Sequence, residues 1–178
     1  MSYSDNCGRI AVRVQRIFNG ATLLTRGVFS SELSGFSPAV YTAPLTYVSA
    51  VGTGDAEITA FTVTPVAGSS RSRLTLAFSY DVTVSYIDAA GAAGKATARI
   101  SDAADLLVTV PDRPYTVSAS VDFASAIGTI TLPRADITAC RRLNVKLLVP
   151  CDILICAAGD VKLPEADAVE DAVCRRLS

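Results

Sequence analysis

The stretch Leu74-Thr-Leu-Ala-Phe-Ser-Tyr-Asp-Val-Thr-Val-Ser-Tyr86 decides how the rest of the chain is read. Its even positions are Leu74, Leu76, Phe78, Tyr80, Val82, Val84 and Tyr86, while Thr75, Ser79, Asp81, Thr83 and Ser85 lie between them. Side chains alternate across a strand with period two, so this pattern predicts a long strand with one buried and one wetter face. The strand is expected to end at Asp88-Ala-Ala-Gly-Ala-Ala-Gly94, where glycine takes positive φ at little cost, and a second alternating run, Lys95 to Ser101, completes a hairpin.

Similar runs follow at Asp105 to Val110, Tyr115 to Phe123 and Ile127 to Leu132, separated by Pro111, Pro114 and Pro133. Ile137 to Val149 repeats the long pattern, broken by Arg141; Pro150 is expected to end it before Ile153 to Cys156 resumes. Short alternating strands with frequent turn signals predict an all-β chain, an antiparallel β-sandwich or jelly roll.

The two ends read differently. Arg9 to Phe18 alternates Ile10, Val12 and Val14 with polar neighbours and ends on Ile17 and Phe18; Asn19-Gly20 then offers a tight turn before Ala21 to Phe29. These residues are either ordinary strands of the domain or an arm that adds a strand to a neighbouring subunit's sheet, with Ser30 to Pro38 as a hinge. Pro164 to Leu177 predicts a short helix. Proline opens it, acidic residues fill its early turns, and Arg175 and Arg176 close it, as the helix dipole favours. The expected organisation is a strand arm over 1–30, a β domain over 31–163 and a helical tail over 164–178.

Composition narrows the function. Sixteen basic residues face 17 acidic ones, so the net charge of −1 gives no footprint for nucleic acid or an anionic membrane. No apolar run approaches the roughly 20 residues of a spanning helix. Asp5, Arg9, Arg13 and Arg16 interrupt the place of a signal peptide's apolar core, so synthesis in the cytoplasm without an export signal is expected. Histidine is absent, which removes the usual general base and the usual imidazole ligand. Tryptophan is absent too, and with it the main stacking platform of sugar-binding β modules.

The remaining chemical motifs are weak. Gly91-Ala-Ala-Gly-Lys95 lacks the first glycine and the magnesium-binding hydroxyl of a phosphate loop, since Ala89 and Ala96 stand there. Cys140, Cys151, Cys156 and Cys174 have the spacing C-x10-C-x4-C-x17-C, without the close cysteine pair of structural zinc. Asp102 with Asp105, or Asp81 with Asp88, would have to converge to serve as an acid and base pair. No catalytic residue, metal site or cofactor is therefore expected.

With Cys7 the cysteines number five, so at least one cannot pair within the chain. They are either buried reduced thiols acting as small hydrophobes or bonds between subunits.

The block Arg73-Leu-Thr-Leu-Ala-Phe-Ser-Tyr-Asp-Val-Thr-Val-Ser-Tyr-Ile-Asp-Ala-Ala-Gly91, with Ile100 to Pro111 and Cys140-Arg-Arg-Leu-Asn-Val-Lys-Leu-Leu-Val-Pro150, resembles the spore-coat-associated (SPOCS-type) domain of endospore-forming anaerobic bacteria. Cys7 with Arg13-Val-Gln-Arg-Ile-Phe18 resembles the leader of some such proteins. The resemblance implies a non-enzymatic subunit of a coat, exosporium or surface fibre, with other copies of itself and other spore-coat proteins as partners. Release by mother-cell lysis would expose thiols folded in reduced form to oxygen, which suits cross-links through Cys7, Cys140, Cys151, Cys156 or Cys174. The competing expectation is a monomeric β-sandwich adaptor or ligand-binding module.

Overall fold

A computed structural model describes residues 8–52 and 54–157, with side chains over 11–52 and 54–153. Seven strands follow one another: β1 (Gly8–Ser37), β2 (Thr46–Gly52), β3 (Gly54–Pro65), β4 (Ser72–Ile87), β5 (Ala93–Val108), β6 (Thr116–Thr131) and β7 (Arg134–Ala157). There is no helix among the described residues, hence none long and apolar enough to cross a membrane. The helix expected over 164–178 lies outside them. The described residues fall into two compact units, one within Gln15–Pro150 and one that joins 8–14 to 151–157. In the second, Arg13 Nε lies 3.3 Å from an Asp152 carboxylate oxygen, both side chains well exposed, so the bridge contributes little.

The strands form one sheet of order β2-β4-β3-β6-β7-β1-β5, in which β4 also pairs with β5; the pairs β1–β5, β2–β4, β3–β4, β3–β6, β4–β5 and β6–β7 are antiparallel. The pairings β4-β3-β6-β7-β1-β5-β4 therefore return to their start. Two strands make this possible by changing partners along their length. Gly54–Ala56 of β3 pairs with β6 before Glu57–Pro65 pairs with β4. In β1, Leu33–Ser37 pairs with β5, while the strand also neighbours β7.

Period two is realised as the sequence predicts in β4, whose seven even residues from Leu74 to Tyr86 are all buried. They form one core with Ala96, Ala98, Ile100, Leu106 and Val108 of β5, Val121 of β6, and Ile137, Leu143, Val145 and Leu147 of β7. Each large aliphatic side chain buried here contributes about 1.5–3 kcal/mol, so the rows supply most of the driving force.

Several expected breaks are absent, because pairing outweighs a local turn or proline signal. Lys95–Ser101 and Asp105–Val108 are parts of one strand, β5. The runs around Phe123 and Ile127 join in β6 across a register shift between Phe123 and Ser125, a bulge that moves the inward positions from Val121 and Phe123 to Ala126 and Ile130 and leaves Ile127 outward. Pro150 does not end β7; it lies at the boundary between the two units. Asn19-Gly20 makes no turn. β1 runs straight through, and Gly20 lets the Val145 carbonyl oxygen approach to 2.7 Å of where a Cβ would stand. Ser30–Ser37 is likewise strand, with Gly35 at φ 59°.

Arg141, the one break in the β7 pattern, stays in phase with the inward row and is only 7% exposed. Its guanidinium forms an ion pair with Asp102, an inward position on β5, and its Nε donates to Thr25 Oγ1 at 3.0 Å. The cation lies over the Phe29 and Phe78 rings, 5.6 and 5.9 Å from their centroids. Stripping water from two charges costs several kcal/mol, which their mutual attraction offsets only while both are present. Arg141→Met and Asp102→Leu should each lower the unfolding free energy by about 3 kcal/mol, and the double variant by clearly less than the sum. Urea unfolding followed by circular dichroism measures all three; strict additivity would show that the pair is not coupled.

Candidate assembly face

The even-numbered residues of β7 from Asp136 to Lys146 point away from the core, as do the even-numbered residues of β1 from Gly20 to Glu32. On β6 the outward set past the bulge is Ser125, Ile127 and Thr129, facing Cys140, Thr138 and Asp136 in register. A hydrogen bond from Thr22 to Asn144 at 2.9 Å aligns β1 on the other side of β7. The resulting face carries Leu24, Val28 and Ile127 exposed to 64%, 75% and 70%. Between them sits Cys140, a free and exposed thiol. Arg26, Ile127 and Cys140 line a depression of about 230 Å³, and Val28, Ile127 and Asp136 line one of about 270 Å³ beside it. Arg26, Arg142, Asp122 and Asp136 mix both charge signs at its rim, a face with no strong field of its own.

Cys151 is a free, half-buried thiol, so neither described thiol is in a disulfide within the chain. Cys156 is a residue of β7 whose side chain lies outside the described ones, and Cys7 and Cys174 lie outside altogether. Of the arm residues, Ile10 belongs to β1, Val12 and Val14 are half-buried, and Ile17 and Phe18 are exposed. From Gln15 to Phe18 every residue is exposed, and inward positions resume at odd numbers with Asn19. The alternation thus changes phase next to the boundary at Val14.

Neither Asp102 with Asp105 nor Asp81 with Asp88 converges as an acid and base pair. Asp102 points inward to Arg141, whereas Asp105 points outward, where Arg73 and Thr75 donate to it and hold its carboxyl below the usual carboxylate range. Asp81 meets Arg99, which also reaches Glu57 and Ser79. Asp88 is a turn residue: its carboxylate accepts from the backbone amides of Thr42 at 3.0 Å, Ala90 at 2.9 Å and Ala92 at 2.8 Å. Gly91, at φ 85°, closes this turn, as the sequence predicts. Among the described residues no group of three or more histidine, cysteine or acidic side chains could hold a metal ion.

No protein-family model, no curated protein and no solved structure matches this chain.

The Asp88 amide contacts, led by those of Thr42 and Ala92, pull its carboxyl below the ordinary carboxylate value. A carboxylate favoured in the folded state stabilises it above the unfolded-state pKa, and that contribution disappears as pH falls through the folded-state value. Asp88→Asn should therefore lower the melting temperature by several degrees at neutral pH, with the gap to the native chain closing in acid. Thermal melts across that range check it; a gap that is constant with pH would mean that the charge at position 88 contributes nothing.

Proposed function

We propose that this chain is a self-associating structural subunit, a jelly-roll-like β-sandwich that buries the outer face of β1, β7 and β6 against a second copy. The observation that carries the reading is the exposure of Leu24, Val28 and Ile127 around a free surface thiol. Isolated apolar side chains are ordinary on a protein surface, but a cluster on a regular sheet face is a feature of association surfaces. An antiparallel sheet face also suits sheet-on-sheet packing, in which side chains of the two faces interdigitate.

In this reading Cys140 locks the contact once the assembly meets oxygen. Two thiols lose two protons and two electrons to dioxygen as the S–S bond forms, and the bond then restrains dissociation. The first strand, through Ile10, Val12, Val14, Ile17 and Phe18, is the candidate for augmenting a neighbour's sheet. The phase change at Gln15–Phe18 is where such an exchange would begin. A spore-surface layer or fibre is the setting that the sequence resemblance supplies.

Sedimentation of the full chain with and without reductant tests the reading. Assemblies that persist in reductant, gain covalent dimers in air, and dissociate on Val28→Asp with Ile127→Asp are expected; Cys140→Ser should abolish the covalent dimers through that position while leaving the reduced assembly intact. A monomer at high concentration under both conditions would overturn it in favour of the adaptor.

A further inference from the structure

A second surface, on the outer face of β4 and β5, is built differently. Ser49 of β2, Ser85 of β4, Lys95 of β5 and Ser37 of β1 are consecutive partners across four strands, a single row in which one lysine has a serine on either side. Ser37 enters this row through the irregularity at Gly35: the register of β1 against β5 shifts between Ser34 and Ser37. A bulge of this kind re-aims the side chains beyond it. Beside the row lies a groove of about 510 Å³, lined by Ser37, Val48, Ser85, Ile87, Ala93 and Lys95 among others. Val48 and Ile87 remain 53% and 42% exposed. No carboxylate among the described residues is in ion-pair range of Lys95, in contrast to Arg73 and Arg99 on the same outer face of these two strands.

We infer that this groove is a binding site for a small amphiphilic carboxylate. The volume falls in the range of small-molecule sites, roughly 300–1,000 Å³, and such sites combine an apolar lining with a few convergent polar groups. Here Lys95 meets one negative charge and the flanking serines donate to the same carboxylate, as charge-assisted hydrogen bonds favour. Val48, Ile87 and Ala93 cover an alkyl or aryl body. A free phosphate ion would leave those apolar walls wet, and a neutral alcohol would leave the ammonium unpaired.

Isothermal titration of the full chain in reductant, with decanoate below its micelle-forming concentration, tests the site. Decanoate should bind once per chain and more tightly than decanol or inorganic phosphate. Lys95→Met should weaken decanoate by about fivefold, the worth of one partly exposed charge contact, and leave decanol unchanged. Val48→Asp should abolish binding of both, and Arg113→Met, the same charge change on the exposed loop between β5 and β6, should alter neither. No heat with decanoate, equal loss on Arg113→Met, indifference to Lys95→Met, or phosphate binding as tightly as decanoate would each overturn the inference.

Discussion

From Ser72↔Val108 to Ile87↔Ala93, β4 and β5 pair without interruption, and the seven inward side chains of β4 are buried only in that register. A slip of one residue would turn Leu74 to Tyr86 out to water and bring Thr75, Asp81 and Ser85 in, so burial of the row selects one pairing among many. The turn at Asp88 reinforces the choice from the end of the hairpin, because its carboxylate accepts from the amides of Ala90 and Ala92 next to the Ile87↔Ala93 pair, and from Thr42 before β2 as well. β3 and β2 then share the other edge of β4, and the rest of the ring follows from β1 and β3 changing partners.

Within that frame the Arg141–Asp102 pair ties β7 to β5 through the middle of the core. An apolar pair of similar size would satisfy the packing with less desolvation. What the charges add is a penalty on any alternative arrangement, since shifting either strand by one residue would separate them and leave a cation among Phe29, Phe78 and Tyr80. Burial of Tyr80 pushes its phenol upward while the nearby guanidinium opposes that shift, a second sign of how dry this interior is. The outer faces bear the functional proposals: a mixed apolar face around Cys140 on one side, a lysine–serine row beside a groove on another.

The all-β class, the β4 row and the Asp88–Gly91 turn were legible from residue order, because period-two alternation and turn chemistry are local properties. Arg141 was visible only as an interruption, since a strand's own sequence does not show which strand stands opposite. The apolar face shows the same limit. Leu24, Val28, Ile127 and Cys140 are more than a hundred positions apart at the extremes and come together only through the β1, β7 and β6 pairings.

Sequence by itself therefore determined that the chain forms strands, which row of β4 side chains is buried, and where the turn between β4 and β5 falls, all of which follow from backbone geometry over a few residues. Tertiary structure decided that β1 runs through Asn19-Gly20, that β7 runs through Pro150, and that Ser37 joins Lys95 and Ser85 in one row. The physical reason is that a ladder of long-range hydrogen bonds and a shared core outweigh the local preference of any single asparagine, glycine or proline.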